Sequence, residues 1–329
     1  MAALSRSDFL TAAGAGALAA TLPLRARAAG LDKVGIDYAY YNPPSLVLKA
    51  KGWLEEALQK RGTSVEWVLS LGSNKANQFL QAGAVQFGST AGSAALLARA
   101  NGSPIKTVFL YSRPEWTALV VAKDSPLKSV RDLKGKKVAA TRGTDPWFFL
   151  LRSLAANGLQ PGDVQLVDLQ HPDGRTALER GQVDAWAGLD PHMAATQLDA
   201  GSRLLYRNVA FNTWGALNAR EDFVAQHGDV AAIVLRAYDR ARKYAAAHPD
   251  ETAALLSEAS KTERRVADLQ LHERTTYPGD GTPGNDYRDA ISAVVPLIRA
   301  DKLAKPDADL EGALASLIDA KVAATALRG

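Results

Sequence analysis

Apolar residues recur along this chain in two rhythms, a period of two in short runs and a helical period in longer ones. Period-two runs at residues 33–38, 64–69 and 85–88 are separated by helical stretches that begin near Ser45 and Asn74. The rhythm restarts near Lys137, where strands over 138–141, 164–168 and 183–189 enclose helices over 146–157 and 175–180. Strand and helix in alternation predict an open α/β sheet, and two such series predict two similar lobes. A faint echo supports the pairing. Residues 81–88 and 179–186 share a helix end, a Gly, one spacer, a Val and a polar residue.

Beyond Arg220 the alternation gives way to helices, predicted over 230–248, 250–260, 263–273, 287–300 and 310–324. Residues 277–284 are too rich in Pro and Gly to be regular, and are read as a loop. Passages between the lobes are placed near 114–122 and 205–219. The expected division is a first lobe of residues 29–118 with 216–329 and a second lobe of residues 119–215.

The length of 329 residues allows a large core in each lobe, and the absence of cysteine excludes disulfides, thiolate metal sites and a Cys nucleophile. It also excludes a lipidated N-terminal Cys. The first 28 residues read as a removable export leader. Arg6 precedes a small apolar run from Phe9 to Leu24, and Ala26-Arg27-Ala28 forms an exit with the cut expected after Ala28. Ser5 to Leu10 resembles a twin-arginine signal, but Ser7 stands where the second Arg belongs, so the export route stays open. The formal charge of +4 falls to +2 once Arg6, Arg25, Arg27 and Asp8 are set aside. No basic stripe gathers on the rest, so nucleic acid has no electrostatic footprint. The basic cluster around Gly135 is read as a solvated turn.

Candidate chemistry gathers where strands end. Tyr41 and Asn42 follow the first strand and are placed to face a cleft, with Ser45 as a helix cap. Ser89 and Thr90 follow the third strand and precede a helix, where hydroxyls and free N–H groups favour an anion; plain caps are the competing reading. The corresponding turn of the second lobe carries Thr141, Gly143 and Thr144, with Trp147 at the helix start as a wall or as core. Trp186 and Asp190 share the parity of Asp184 along one strand, so they face a cleft unless Trp186 simply fills core. No G-x-G-x-x-G or P-loop follows any strand, and no H-E-x-x-H or G-x-S-x-G pattern occurs. Nucleotide, metal and covalent catalysis are therefore not expected, and neither is a cofactor.

The segment 177–191 resembles one in the periplasmic receptors that serve ABC importers of aliphatic sulfonates, within the sulfonate, taurine and nitrate receptor superfamily. Further matches are "A-K-G-W-L-E" at 50–55, "G-S-T" at 88–90, "D-L-K-G-K-K-V-A" at 132–139 and "L-L-R-S-L-A-A-N-G-L" at 150–159. The resemblance implies an α/β, two-lobed periplasmic binding protein of type II, with two crossover strands, acting as a monomer. It implies a small organic sulfonate or similar oxyanion as ligand and an inner-membrane ABC permease as partner. Ser89, Thr90, Thr141, Gly143 and Thr144 would hold the oxyanion, while Tyr41, Trp186 and Trp214 cover the organic part. Asp190 would accept a polar or cationic substituent or hold the hinge. Asp145 departs from the pattern, since the resembling receptors carry Ser there. Either it turns away from the ligand or it pairs with a cationic part of it. Rival readings are a nitrate or pyrimidine receptor of the same superfamily and, further off, a secreted hydrolase.

Overall fold

The computed structural model describes residues 31–277 and 279–328. The anticipated leader and its cut after Ala28 lie outside these residues. The described chain opens with β1 (Lys33–Tyr38), α1 (Pro43–Lys51), α2 (Trp53–Gln59), β2 (Ser64–Leu69), α3 (Ser73–Gln81), β3 (Phe87–Ala91), α4 (Gly92–Ala100) and β4 (Ile105–Pro114). After a first passage come β5 (Leu119–Val121), β6 (Lys137–Ala140), α5 (Asp145–Ala156), β7 (Gln165–Asp168), α6 (His171–Glu179), β8 (Ala185–Ala187), α7 (His192–Asp199) and β9 (Arg203–Tyr206). A second passage leads to β10 (Gly215–Arg220), α8 (Glu221–Gln226), α9 (Gly228–Ala247), α10 (Pro249–Ser260), α11 (Arg264–Asp268) and β11 (Thr275–Thr276). The chain closes with α12 (Asn285–Ser292), α13 (Val295–Ala300), α14 (Leu310–Leu317) and α15 (Ala320–Leu327).

Two sheets result, ordered β11-β4-β10-β3-β1-β2 and β7-β6-β8-β5-β9. In the first, β1 runs parallel to β2 and β3, while β10 arrives antiparallel between β3 and β4. In the second, β6 runs parallel to β7 and β8, while β5 lies antiparallel between β8 and β9. Each sheet thus keeps a parallel βαβ core and takes antiparallel strands at the passages. Apolar layers cover both faces of each sheet. In the second sheet, Ala185 and Ala187 face the α5 layer while Trp186 faces the layer that holds Ala177 and Leu178 of α6.

The passages themselves are tied together. Thr117 N–H donates to Asn212 Oδ1 at 2.9 Å, joining the outgoing segment to the returning one. Two of the helices expected as continuous are broken. The one expected over 287–300 stops at Ser292 and restarts at Val295, with Pro296 in its first turn, where the missing N–H and fixed φ are tolerated. The one over 310–324 is interrupted because Asp319 N–H donates to Thr107 O of β4 at 3.0 Å and Ile318 forms a bridge there. Within the predicted loop, Gly281 O accepts from Leu110 N–H at 2.7 Å, so this part of the loop is pinned to β4.

Candidate functional site

The turn into α5 is built for close approach. Gly143 sits at φ 75°, in the left-handed region, and Thr144 caps the helix with an extended backbone while its hydroxyl turns back to Thr141 O at 2.6 Å. Asp145 is therefore the first helical residue, and its side chain is buried rather than solvated. Four donors meet its carboxylate. Oδ1 accepts from Ser93 Oγ at 2.7 Å and Thr213 Oγ1 at 2.6 Å; Oδ2 accepts from Trp116 Nε1 at 2.8 Å and Thr213 N at 2.7 Å. Ser93 stands in the first turn of α4, and its own N–H donates to Thr213 Oγ1 at 3.1 Å. A carboxylate from the second sheet's side is thus held by one helix N-terminus of the first and by both passages. None of the four donors carries a formal charge.

A second buried carboxylate lies beneath this cradle. Asp37 of β1 accepts from Ser89 N at 2.8 Å and from Ser89 Oγ at 2.9 and 3.0 Å. Burial pushes its carboxyl up to about 7, against the opposing pull of the Ser70 hydroxyl and the Ser89 donors. Tyr41 donates its hydroxyl to Ser89 O at 3.0 Å and meets Trp116 edge to face at 6.0 Å. The two carboxylates are therefore linked through Ser89, Tyr41 and Trp116.

At a third point the two halves touch directly. His171 opens α6 and is fully buried, and its Nδ1 lies 3.0 Å from Thr141 Oγ1. Because Thr141 donates its own proton to Leu169 O at 2.7 Å, His171 Nδ1 is the donor of the pair, which leaves Nε2 as a bare acceptor. Burial lowers the ring's pKa to about 3, so it stays neutral. A Cβ built on Gly72, before α3, would stand 3.0 Å from that Nε2. Nearby, Asn74 Nδ2 reaches Gln170 Oε1 at 3.4 Å.

Asp190 makes a different kind of contact. Its carboxylate accepts from Arg274 Nη1 at 3.0 and 3.2 Å and from Ala194 N at 2.9 Å, and its own N–H donates to Trp116 O at 3.0 Å. Arg274 also reaches Gln197. Burial raises the carboxyl above its ordinary value, with Arg274 opposing.

The remaining sequence candidates are engaged as follows. Asn42 caps α1 through Oδ1 and donates to Tyr238 Oη at 2.8 Å. Thr90 donates to Ala91 O and accepts from Asn218 Nδ2 at 2.8 Å. Trp147 lies in the α5 apolar layer with Nε1 on Asp301 Oδ2 at 2.9 Å, and Arg142 lies over its ring. Trp186 is fully enclosed between the second sheet and α6, so close that a Cβ on Gly174 would stand 2.5 Å from its Nε1. Trp214, next to Thr213, packs against Tyr287 and lines a recess of about 360 Å³, where the exposed Arg113 guanidinium lies 5.0 Å over its ring. The hydroxyls of Ser89, Thr90, Thr141 and Thr144 all donate within the protein. Sequence reasoning did not single out Asp37, Ser93, Trp116, Thr213, His171 or Arg274. A hint existed only for Ser93, which stands three residues after Thr90 of the G-S-T turn.

Among the described residues one exposed group, Asp250, Asp268 and His272, has metal-ligand spacing, but Arg264 already bridges Asp268 at 2.7 Å and Asp250 at 3.3 Å. No helix among the described residues is long and apolar enough to cross a membrane.

Comparison with known proteins agrees with this architecture. A Bacillus subtilis (strain 168) protein named for binding aliphatic sulfonates is 28% identical over 231 residues, covering 69% of this chain and 70% of the relative. An Escherichia coli (strain K12) protein of the same name is 31% identical over 206 residues, covering 61% of this chain and 65% of the relative. The alkanesulfonate-binding protein of Xanthomonas axonopodis pv. citri, solved bound to MOPS, superposes with a TM-score of 0.78 at 24% identity. That match covers 87% of this chain and 99% of the other, and it shows the two-lobed α/β fold of periplasmic binding proteins. These relatives are named as binding proteins, not as enzymes. Residues 41–252 match the model of the NMT1/THI5-like family, and the chain belongs to that family.

Proposed function

We propose that this chain is the solute receptor of an ABC importer, taking a small organic sulfonate or similar oxyanion in the periplasm and delivering it to an inner-membrane permease. It works as a monomer after loss of its leader, with residues 29–118 and 216–329 as one lobe and 119–215 as the other. The observation that carries the reading is the cradle of Ser93, Trp116 and Thr213, four uncharged donors converging where α4, α5 and both passages meet. Neutral donors suit a sulfonate, which stays ionised at any periplasmic pH and gains from aligned dipoles without a matching cation. A guest held from both lobes stabilises the shut form over the open one, which is the coupling that a receptor needs. Trp214 and Arg113 offer an aromatic and cationic wall for the rest of the solute. The use of the solute as a sulfur source belongs to the same reading.

One observation favours a second reading. Asp145, a carboxylate in the cradle, would pair with the amine of an aminopyrimidine. Calorimetric titration with ethanesulfonate, taurine, nitrate and an aminopyrimidine separates the two. The sulfonate reading expects saturable heat with ethanesulfonate or taurine, weakened about tenfold or more in Thr213→Val, which loses one charge-assisted donor. Heat with the aminopyrimidine alone rejects it.

A further inference from the structure

We propose that Asp145 is a built-in guest. Its carboxylate fills the oxyanion cradle of the solute-free receptor, and a solute must displace it to bind. This inference rests on the reading of the cradle as the solute's site.

The geometry is that of a bound anion. A ligand oxyanion held at such a junction would take hydrogen bonds at 2.6–2.9 Å from hydroxyls, a backbone N–H and an indole N–H, and Asp145 takes all four at 2.6–2.8 Å. Both carboxylate oxygens are used twice. The position is also one from which an anion has somewhere to go, because Asp145 belongs to the turn 143–145 that opens α5 rather than to a strand. The side chain hangs on a single helix start whose N-cap, Thr144, makes no side-chain capping bond of its own. No cation bonds the carboxylate among the described residues: Arg152, whose charge interacts with it at longer range, donates to Ala210 O and lies over the Phe211 ring. Arg274 is committed to Asp190 and Gln197, and Arg142 lies over Trp147 near Asp301.

Competition of this kind lowers apparent affinity by the fraction of time the cradle is free. A cradle vacant about one-tenth of the time weakens a solute about tenfold. Asp145 is then the residue that sets the threshold solute concentration, and a bare sulfonate finds the site only as the carboxylate swings out. Swung out, the carboxylate stays near the entering anion and repels it, which adds to the same discrimination.

Replacement of the carboxylate tests this. Ethanesulfonate affinity, measured by calorimetry at constant pH and salt, is expected to rise at least about tenfold in Asp145→Ser, whose hydroxyl is too short to span the cradle. Asp145→Asn, nearly isosteric and uncharged, should gain less. Thermal melts of all three proteins establish that they fold. Binding by the variants with none by the wild type supports the proposal most strongly. Ethanesulfonate binding by the wild type with equal or weaker binding by both folded variants overturns the built-in guest and leaves the sulfonate reading standing. No binding by any of the three overturns the sulfonate reading and the guest with it.

Discussion

Asp145 and Asp190 are both buried carboxylates near the passages between the sheets, yet their surroundings differ in one respect that decides their roles. Asp190 faces the Arg274 guanidinium, a charge that cannot leave, whereas Asp145 faces only hydroxyls and N–H groups. A fixed cation makes a carboxylate a structural tie. Neutral donors make a site that any suitably shaped anion can occupy, the protein's own included. On this comparison, Asp190 ties Arg274 to the start of α7, and Asp145 marks the place proposed above for solute exchange.

The largest effect expected is at the lock. Asp190→Asn leaves Arg274 buried without its counter-charge, and breaking a buried pair from one side costs about 3–5 kcal/mol. Urea denaturation measures it. A loss below about 1 kcal/mol would erase the contrast between the two carboxylates.

Asp37 supplies a pH-dependent third case, since only the Ser70 and Ser89 donors oppose its burial and no cation faces it. Its carboxyl is pushed up to about 7 from an ordinary value of 3.8. A raised folded value means that the native state binds the proton more tightly. The associated stability is complete below pH 4 and is lost as pH rises through 7. Asp37→Asn should therefore gain on the wild type between pH 5 and pH 8, by a few kcal/mol at most. Parallel stability curves for the two proteins across that range would place the carboxyl's titration elsewhere.

Gly72→Ala probes the contact between the halves. The backbone there is extended and accepts any residue, so strain arises only from the added methyl against the His171 ring and Asn74. Overpacking of this size costs about 1–2 kcal/mol or holds the halves slightly apart. Solution scattering and solute affinity would report the second outcome, and an unchanged protein by both measures and by melting would show that the contact is slack.

Much of the architecture was legible in the chain because local periodicity carries it. The parallel strands β1, β2, β6 and β7, and most of their helices, alternate visibly. Of the antiparallel strands, β5 and most of β10 fall in the stretches read as passages, while β4 and most of β9 fall in stretches given no element; β4 and β10 are buried on both faces, so their residues show no alternation. The splits after Ser292 and Leu317 escaped for related reasons, one from a Pro that a helix start tolerates and one from a bridge to β4. The cradle was the least legible. Asp145 stood out as discordant, but its partners Ser93, Trp116 and Thr213 lie 52, 29 and 68 residues away, and only the fold brings them together. Trp186, prominent in sequence, packs inside because its strand is covered on both faces.

The smallest effect on stability should come from Asp145→Asn, and its smallness is what would sharpen the comparison. An Asn amide can keep its oxygen toward the Trp116 and Thr213 N–H groups and turn its amino group toward the Ser93 and Thr213 hydroxyls, which rotate to accept. All four bonds survive, only the charge is lost, and no partner is left as an uncompensated ion. A cost of about 1 kcal/mol or less is expected, the difference between charge-assisted and neutral bonds after solvation is counted. Urea denaturation beside Asp190→Asn gives the ratio directly. If Asp145→Asn proved as damaging as Asp190→Asn, the carboxylate would be a structural tie like its counterpart, and the cradle would have no free state for a solute to enter.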